Sequence, residues 1–197
     1  MLDLCAYLGL GATGLVALNL LCGMLISLRY SPVRNWPHRR IKQMDLFTLH
    51  QWTAYLAVVL TLAHPVVLLW VKEPRFRVVD IVWPLHSPLQ PWINMAGAGA
   101  LYLVVLVLVT SLLRSRLGRP VWRKLHYLVY PAAVLLLLHS VLTDPLLKDG
   151  HPDLLDGGKV FVEGCTLVSV VATGVRYWFR GVGFRAVQQR PAGTRAL

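Results

Sequence analysis

The feature that most constrains this sequence is a series of five apolar stretches, each long enough to cross a lipid bilayer as a helix. They cover approximately residues 4–28, 46–71, 93–113, 121–142 and 160–179. A helix needs about 20 mostly apolar residues to span a hydrocarbon core of about 30 Å. Because a spanning helix also satisfies its own backbone hydrogen bonds, the sequence predicts an all-α integral membrane bundle of about five transmembrane helices.

Little of the chain remains for a water-soluble domain. The polar segments are short connections and a tail after Arg180, and 56% of the residues are hydrophobic. We therefore expect residues 1–197 to form a single transmembrane domain. The first stretch has no basic residue before Arg29, whereas a secretory signal peptide begins with a basic region, so we expect this stretch to be retained as a helix.

The charges are distributed unequally between the two ends of the predicted bundle. The connections at one end carry fifteen basic residues and one acidic residue, and those at the other end carry five basic and eight acidic residues. The positive-inside rule then places the N-terminus outside and the C-terminus in the cytoplasm. Membrane topology therefore accounts for the net charge of +11. We expect a lipid bilayer as partner and no nucleic acid.

Four of the seven histidines lie inside apolar stretches. His50 and His64 belong to the second stretch, and His126 and His139 belong to the fourth. An ionisable side chain within the membrane is costly and marks a functional site by default. A single such histidine is explained equally well by a structural hydrogen bond, but four in this arrangement favour a ligand role.

The depths of these histidines follow from where their helices begin. His50 lies five residues after Asp45, a candidate N-cap, and His126 lies six residues after Pro120, a candidate first-turn proline. Both stretches run in the same direction, so the two side chains should share one depth near the cytoplasm. The second histidine of each stretch lies 14 or 13 residues further on, a rise of about 21 or 20 Å, which predicts a second shared depth near the outer side.

Two imidazoles that face each other at one depth provide the two axial ligands of an iron porphyrin. The sequence therefore predicts two b-type haems, an inner one held by His50 with His126 and an outer one held by His64 with His139. A zinc site would require carboxylates or cysteines beside the histidines, and these helices offer almost none.

The fourth stretch contains one irregularity. Fourteen residues return nearly to the same face of a helix, whereas thirteen fall about 140° short of it. We expect Pro131, which lies between the two histidines, to change the phase of this helix because proline lacks an N–H and clashes with the preceding turn.

A resemblance to a known family rests on these same residues. The pattern comprises Leu49-His50 to His64-Pro65, followed by Arg123-Lys124-Leu125-His126-Tyr127 to His139. It resembles the transmembrane domain of the ferric reductase and NADPH oxidase superfamily over roughly residues 30 to 180. In that superfamily the first histidines of the two helices share the inner haem, and the second histidines share the outer haem.

The resemblance implies a function and partners. This sequence contains neither the additional N-terminal helix of the NADPH oxidases nor their flavin and nicotinamide domain. In size it is similar to stand-alone bacterial members, including the membrane haem subunit of the periplasmic methionine sulfoxide reductase system. We expect a haem subunit of the bacterial inner membrane that passes electrons from a separate cytoplasmic or membrane donor to an outer acceptor, either a protein or a small molecule.

Two alternative functions stay open at this stage. The chain could be a self-contained reductase of ferric complexes, other metals or oxygen at the outer haem, or a non-catalytic haem-binding sensor or assembly subunit. No catalytic residue is predicted. Haem propionates require cations at the membrane edge, and the candidates are Arg123, Lys124, Arg40 and Lys42 for the inner haem and Lys72, Arg75 and Arg77 for the outer haem.

Overall fold

The computed structural model of the chain describes residues 2–28, 45–143 and 155–188, with side chains described as far as residue 179. All regular secondary structure within these ranges is helical. The helices are α1 Leu2–Ser27, α2 Leu46–Val66, α3 Val78–Val82, α4 Pro91–Leu112, α5 Arg114–Leu117, α6 Arg119–His126, α7 Val129–Leu142 and α8 Gly157–Gln188. Two short 3₁₀ turns lie between these helices, at Val67–Trp70 directly after α2 and at Pro84–His86 between α3 and α4.

Five segments are long and apolar enough to cross a membrane. They are Leu2–Ser27, Leu46–Trp70, Pro91–Leu112, Arg119–Leu142 and Gly157–Phe179. The prediction of an all-α bundle with five transmembrane helices is therefore confirmed, and the chain is an integral membrane protein. The largest difference lies in the last helix, which begins three residues before the predicted position 160 and continues to Gln188.

Local signals fix where the spanning helices begin. The side chain of Asp45 accepts a hydrogen bond of 3.1 Å from the amide of Phe47 and caps α2. Pro91 and Pro120 occupy the first turns of α4 and α6, where a missing N–H costs nothing. Gly118 joins α5 to α6 with a φ of 75°, a conformation that glycine adopts without strain.

The five spans close into a ring around a shared interior. α1 packs along α2, α4 packs along α7, α8 contacts both α1 and α7, and α4 also contacts α2. The histidine-bearing spans, α2 and α6–α7, therefore face each other across the interior. The outer surface carries many exposed large apolar side chains, such as Trp52, Trp92 and Tyr177, which suit contact with lipid.

The fourth span is interrupted between α6 and α7. The amides of Tyr127, Leu128 and Tyr130 donate to the carbonyl oxygens three residues earlier, at 3.3, 3.0 and 3.1 Å. Such turns advance about 120° per residue instead of about 100°. Pro131 follows immediately and has no N–H to donate to the preceding turn. The expected change of phase is found at this interruption, and it helps to bring two histidines that are 13 residues apart onto the same side.

Candidate functional site

The structure brings the four intramembrane histidines together as two pairs. The ring centres of His50 and His126 are 6.3 Å apart, and those of His64 and His139 are 6.1 Å apart. The 14 residues between His50 and His64 separate the two pairs by about 21 Å along the bundle. Each pair joins α2 to the fourth span across the interior.

Three of the imidazoles are oriented by backbone carbonyl groups of neighbouring helices. Nδ1 of His50 lies 3.1 Å from the oxygen of Asn19, and Nδ1 of His64 lies 2.7 Å from the oxygen of Cys5. Nδ1 of His139 likewise lies 2.9 Å from the oxygen of Ile93. A carbonyl oxygen only accepts hydrogen bonds, so each Nδ1 carries the proton and each Nε2 carries a lone pair.

The fourth imidazole reaches the same tautomer through a hydroxyl group. The Ser111 hydroxyl donates to the oxygen of Val107 at 2.7 Å and accepts from Trp122 Nε1 at 3.3 Å. A hydroxyl has one proton to donate and two lone pairs. Its remaining lone pair therefore accepts from Nδ1 of His126, which lies 3.3 Å away, and Nε2 of His126 is again left with a lone pair.

None of the hydrogen bonds formed by the described side chains involves Nε2 of these four histidines. Within the same part of the chain, no three His, Cys, Asp or Glu side chains converge on one point. Each level of the bundle thus brings together two imidazole side chains and no third candidate metal ligand from the described residues.

Small residues on α1 and α4 make the space in which the rings stand. A Cβ added to Gly9 would lie 3.0 Å from Nδ1 of His64, and one added to Gly97 would lie 2.9 Å from Nδ1 of His139. A Cβ on Gly23 would lie 3.3 Å from His50. A side chain at Gly9 or Gly97 would push the imidazole out of place, and one at Gly23 would require His50 to shift by a few tenths of an ångström.

These small residues repeat with the period of the histidines. Gly9 and Gly23 are 14 residues apart on α1, and Gly97 and Ser111 are 14 residues apart on α4. In each case the carbonyl that a histidine or Ser111 bonds belongs to the residue four positions earlier. The sequence analysis missed this relation, although the shared spacing of 14 was a signal for it.

A cavity of about 440 Å³ surrounds the pair His64 and His139. Residues of all five spans line it, and most of them are apolar. The charged side chains that line it are Asp3, Asp80, Asp156 and Lys159. The cavity is thus mostly apolar and has a few charged groups in its wall.

Among the predicted propionate ligands that the structure describes, none forms a hydrogen bond or ion pair with the four histidines. Arg123 and Lys124 are exposed on α6, and neither forms a hydrogen bond or ion pair with another described residue. Lys72 and Arg75 are exposed, and Arg77 is paired with Asp80 at 3.2 Å. Arg40 and Lys42 lie outside the described residues. A role of Arg123 and Lys124 in cofactor binding stays a prediction.

Comparison with known families decides what kind of bundle this is. The model of the family described as ferric reductase like transmembrane component matches residues 10–137. This is well over half of the chain, and it includes His50, His64 and His126, while His139 lies just beyond it. The chain belongs to this family. No curated protein and no solved structure matches it significantly.

Membership in the ferric reductase-like family gives the bundle a general role. Transmembrane domains of this family serve electron transfer across the membrane, and they generally bind haem. The family therefore supplies a reason for paired histidines inside an otherwise apolar bundle. The recognition made from the histidine pattern is confirmed by this match.

Proposed function

We propose that this protein is the haem subunit of a membrane oxidoreductase and that it carries electrons across the bilayer through two b-type haems. His50 and His126 would hold one haem, and His64 and His139 would hold the other. The observation that carries the proposal is the shared tautomer of these four side chains. All four bind a neighbouring helix through Nδ1, and all four keep the Nε2 lone pair for a ligand.

The distances within each pair fit this group. A metal–imidazole bond is about 2 Å long, and the ring centre lies about 1 Å behind the nitrogen, so a metal between two imidazoles separates their centres by about 6 Å. The observed values are 6.3 and 6.1 Å. Each pair is therefore already spaced for one shared metal ion.

The number of ligands also fits. A porphyrin supplies four nitrogens to its iron and leaves two axial positions, and these are the two ligands that each level offers. A structural zinc ion takes four protein ligands, and a catalytic zinc ion takes three. The described residues place no third candidate beside either pair.

The surrounding residues hold the ligands ready. When bound, haem supplies one-electron chemistry by alternating between ferric and ferrous iron. The Nδ1 hydrogen bonds fix the direction of each ring and increase the basicity of Nε2. Gly9, Gly23 and Gly97 leave room for the rings, and the apolar lining excludes water.

The proposal extends to the orientation of the protein in its membrane and to its electron donor and acceptor. The positive-inside rule favours a cytoplasmic location for the basic end, where the pair His50 and His126 lies. We place the protein in the bacterial inner membrane as a single transmembrane domain. A separate donor reduces it from the cytoplasm or the membrane, an outer protein or small molecule accepts the electron, and Arg123 and Lys124 bind the inner propionates.

The test is the haem content of purified protein and its single-histidine variants. The wild type should contain two low-spin b-type haems per chain. His64→Ala and His139→Ala should each reduce this to one and leave identical spectra, and His50→Ala and His126→Ala should leave the other haem. His86→Ala, at an exposed position in a connection, is the control and should keep both.

Two results would contradict the proposal. Protein produced with adequate haem supply but containing none would remove the cofactor altogether. If His50→Ala and His139→Ala left the same remaining haem, the pairing would be wrong, because these side chains belong to different levels in the proposal.

A further inference from the structure

A lysine is buried at the end of the bundle that holds the pair His64 and His139. Lys159 lies in the first turn of α8, and only 3% of its surface is exposed. Its Nζ has no hydrogen-bond partner among the residues that the structure describes. A buried ammonium group without an anion is strongly unfavourable, so its position requires a negatively charged partner.

The carboxylates that share its surroundings do not fill this role. Lys159 lines the cavity of about 440 Å³ together with Asp3, Asp80 and Asp156. Asp80 is paired with Arg77 at 3.2 Å, and Asp156 accepts a hydrogen bond of 3.1 Å from the amide of Gly158. Within the described ranges, none of the three forms an ion pair with Lys159.

The same cavity contains both histidines of the pair, and Lys159 lies close to their depth. Its neighbour Gly158 approaches Leu10, since a Cβ on this glycine would lie 3.5 Å from Leu10 Cδ1. Leu10 directly follows Gly9, the residue against which His64 stands. Lys159 is therefore within reach of a molecule that fills the cavity between the two imidazoles.

We propose that Lys159 binds a propionate carboxylate of the haem held by His64 and His139. The inference rests on the proposed function. An ammonium group and a carboxylate form a charge-assisted hydrogen bond, and rotation about the four-carbon stem lets the head turn into the cavity that the stem lines. The propionate supplies the anion that the described residues do not.

This ion pair has an electrochemical consequence. Reduction adds one negative charge to the haem, and a nearby cation favours the reduced form. Loss of Lys159 removes this positive charge and leaves that of the propionate uncompensated. It therefore lowers the midpoint potential of this haem and leaves that of the other haem nearly unchanged.

The experiment is an optical redox titration of Lys159→Met with Lys148→Met as its matched control. Lys148 belongs to the connection between α7 and α8, at the same end of the bundle, so its replacement makes the same chemical change outside the spanning helices. Lys159→Met should lower one of the two midpoint potentials, and Lys148→Met should lower neither by a comparable amount. Lys159→Gln provides a second neutral variant if the methionine protein does not accumulate, and Lys159→Arg should restore the potential.

A second arm identifies the anion. Membranes from haem-deficient cells are supplied with either haem or haem dimethyl ester, whose propionates carry no charge. The difference between wild type and Lys159→Met should be clearly larger with haem than with the ester, because only a free propionate holds the ammonium group beside the ring. An equal difference with haem and with the ester would overturn the inference and assign Lys159 to a protein carboxylate, for which Asp144, Asp149 and Asp153 are candidates outside the described residues.

The two proposals fail in different ways. Protein with two haems whose potentials are unaffected by Lys159→Met contradicts the inference alone. Protein that binds no haem contradicts the proposed function, whatever residue stands at position 159.

Discussion

Gly97 lies directly against the imidazole of His139. A Cβ at this glycine would come within 2.9 Å of both Cε1 and Nδ1 of the ring, closer than two such atoms can approach. Gly9 has the same relation to His64 at 3.0 Å. The room for this pair is therefore set by α1 and α4, two helices that carry none of the four intramembrane histidines.

Gly97→Val should displace His139 and remove the haem that it shares with His64. The haem content should fall from about two per chain to about one, measured on purified protein by pyridine haemochromogen. Within a helix, replacing glycine by another residue favours the helical conformation by up to about 1 kcal/mol, so a weakened helix cannot account for the loss.

The control for this substitution is Gly99→Ala in the same helix. A Cβ at Gly99 would meet only the Cδ1 atom of Leu135, at 3.3 Å, and a flexible leucine side chain can move away. Haem content should remain at about two per chain. Full retention of both haems in Gly97→Val would show that the ring does not need the space it occupies.

Ser111→Ala should weaken the haem held by His50 and His126. The substitution leaves Nδ1 of His126 and the indole N–H of Trp122 without their acceptor. An unsatisfied buried donor costs about 1 to 3 kcal/mol, which corresponds to roughly fivefold to 150-fold weaker haem retention. The measurement is the rate of haem loss in a His64→Ala background, where only this haem remains.

Ser111→Gly tests the reason for that loss. At the other level, Gly97 stands in the equivalent position, and His139 bonds directly to the carbonyl four residues earlier. The glycine variant exposes the oxygen of Val107 in the same way, so it should retain haem better than Ser111→Ala. Equal loss in both variants would contradict this account of the serine.

The angles between paired imidazoles predict the electron paramagnetic resonance spectrum. The ring planes meet at 69° in the pair His50 and His126 and at 82° in the pair His64 and His139. Ferric haem with nearly perpendicular axial imidazoles gives a highly anisotropic low-spin signal with one dominant low-field line. Both haems should show it, with greater anisotropy at His64 and His139, whereas three well-resolved rhombic lines would indicate parallel planes.

The ion pair at the start of α3 should make stability depend on pH. Hydrogen bonds from the Arg77 guanidinium and backbone amide hold the pKa of Asp80 below its usual value. A carboxylate whose folded-state pKa is depressed contributes stability above its unfolded pKa of about 3.9, and this contribution is lost as the pH falls through the folded pKa. Asp80→Asn should therefore lower the melting temperature modestly at neutral pH, and the difference should vanish in acid. A constant difference across the titration would exclude the carboxylate charge as its source.

The fold was predictable because its signals are local. The length and hydropathy of each span are properties of contiguous residues, and Asp45 and Pro120 mark where two of the helices begin. Equal distances from those starts give equal depths, which is why the pairing of the four histidines can be expected from the sequence. The interruption before Pro131 was expected for the same reason, since one proline accounts for the missing hydrogen bond.

The parts that were not predicted depend on contacts between distant residues. Every residue has a carbonyl group, so nothing in the sequence marks Cys5, Asn19 or Ile93 as hydrogen-bond acceptors. Lys159 was counted as one charge in a connection because the last helix was expected to begin at residue 160. The helix actually begins at Gly157, so Lys159 lies in its first turn and is buried.

The use of main-chain acceptors has an evolutionary consequence. A peptide carbonyl survives any substitution at its own residue, so natural selection can change Cys5, Asn19 or Ile93 without removing the hydrogen bond to the histidine. Gly9 and Gly97, four positions after Cys5 and Ile93, have no such freedom, because a Cβ at either would come within about 3 Å of the ring. Divergent relatives should therefore drift at the positions that bind the imidazoles and stay fixed at the positions that merely make room for them.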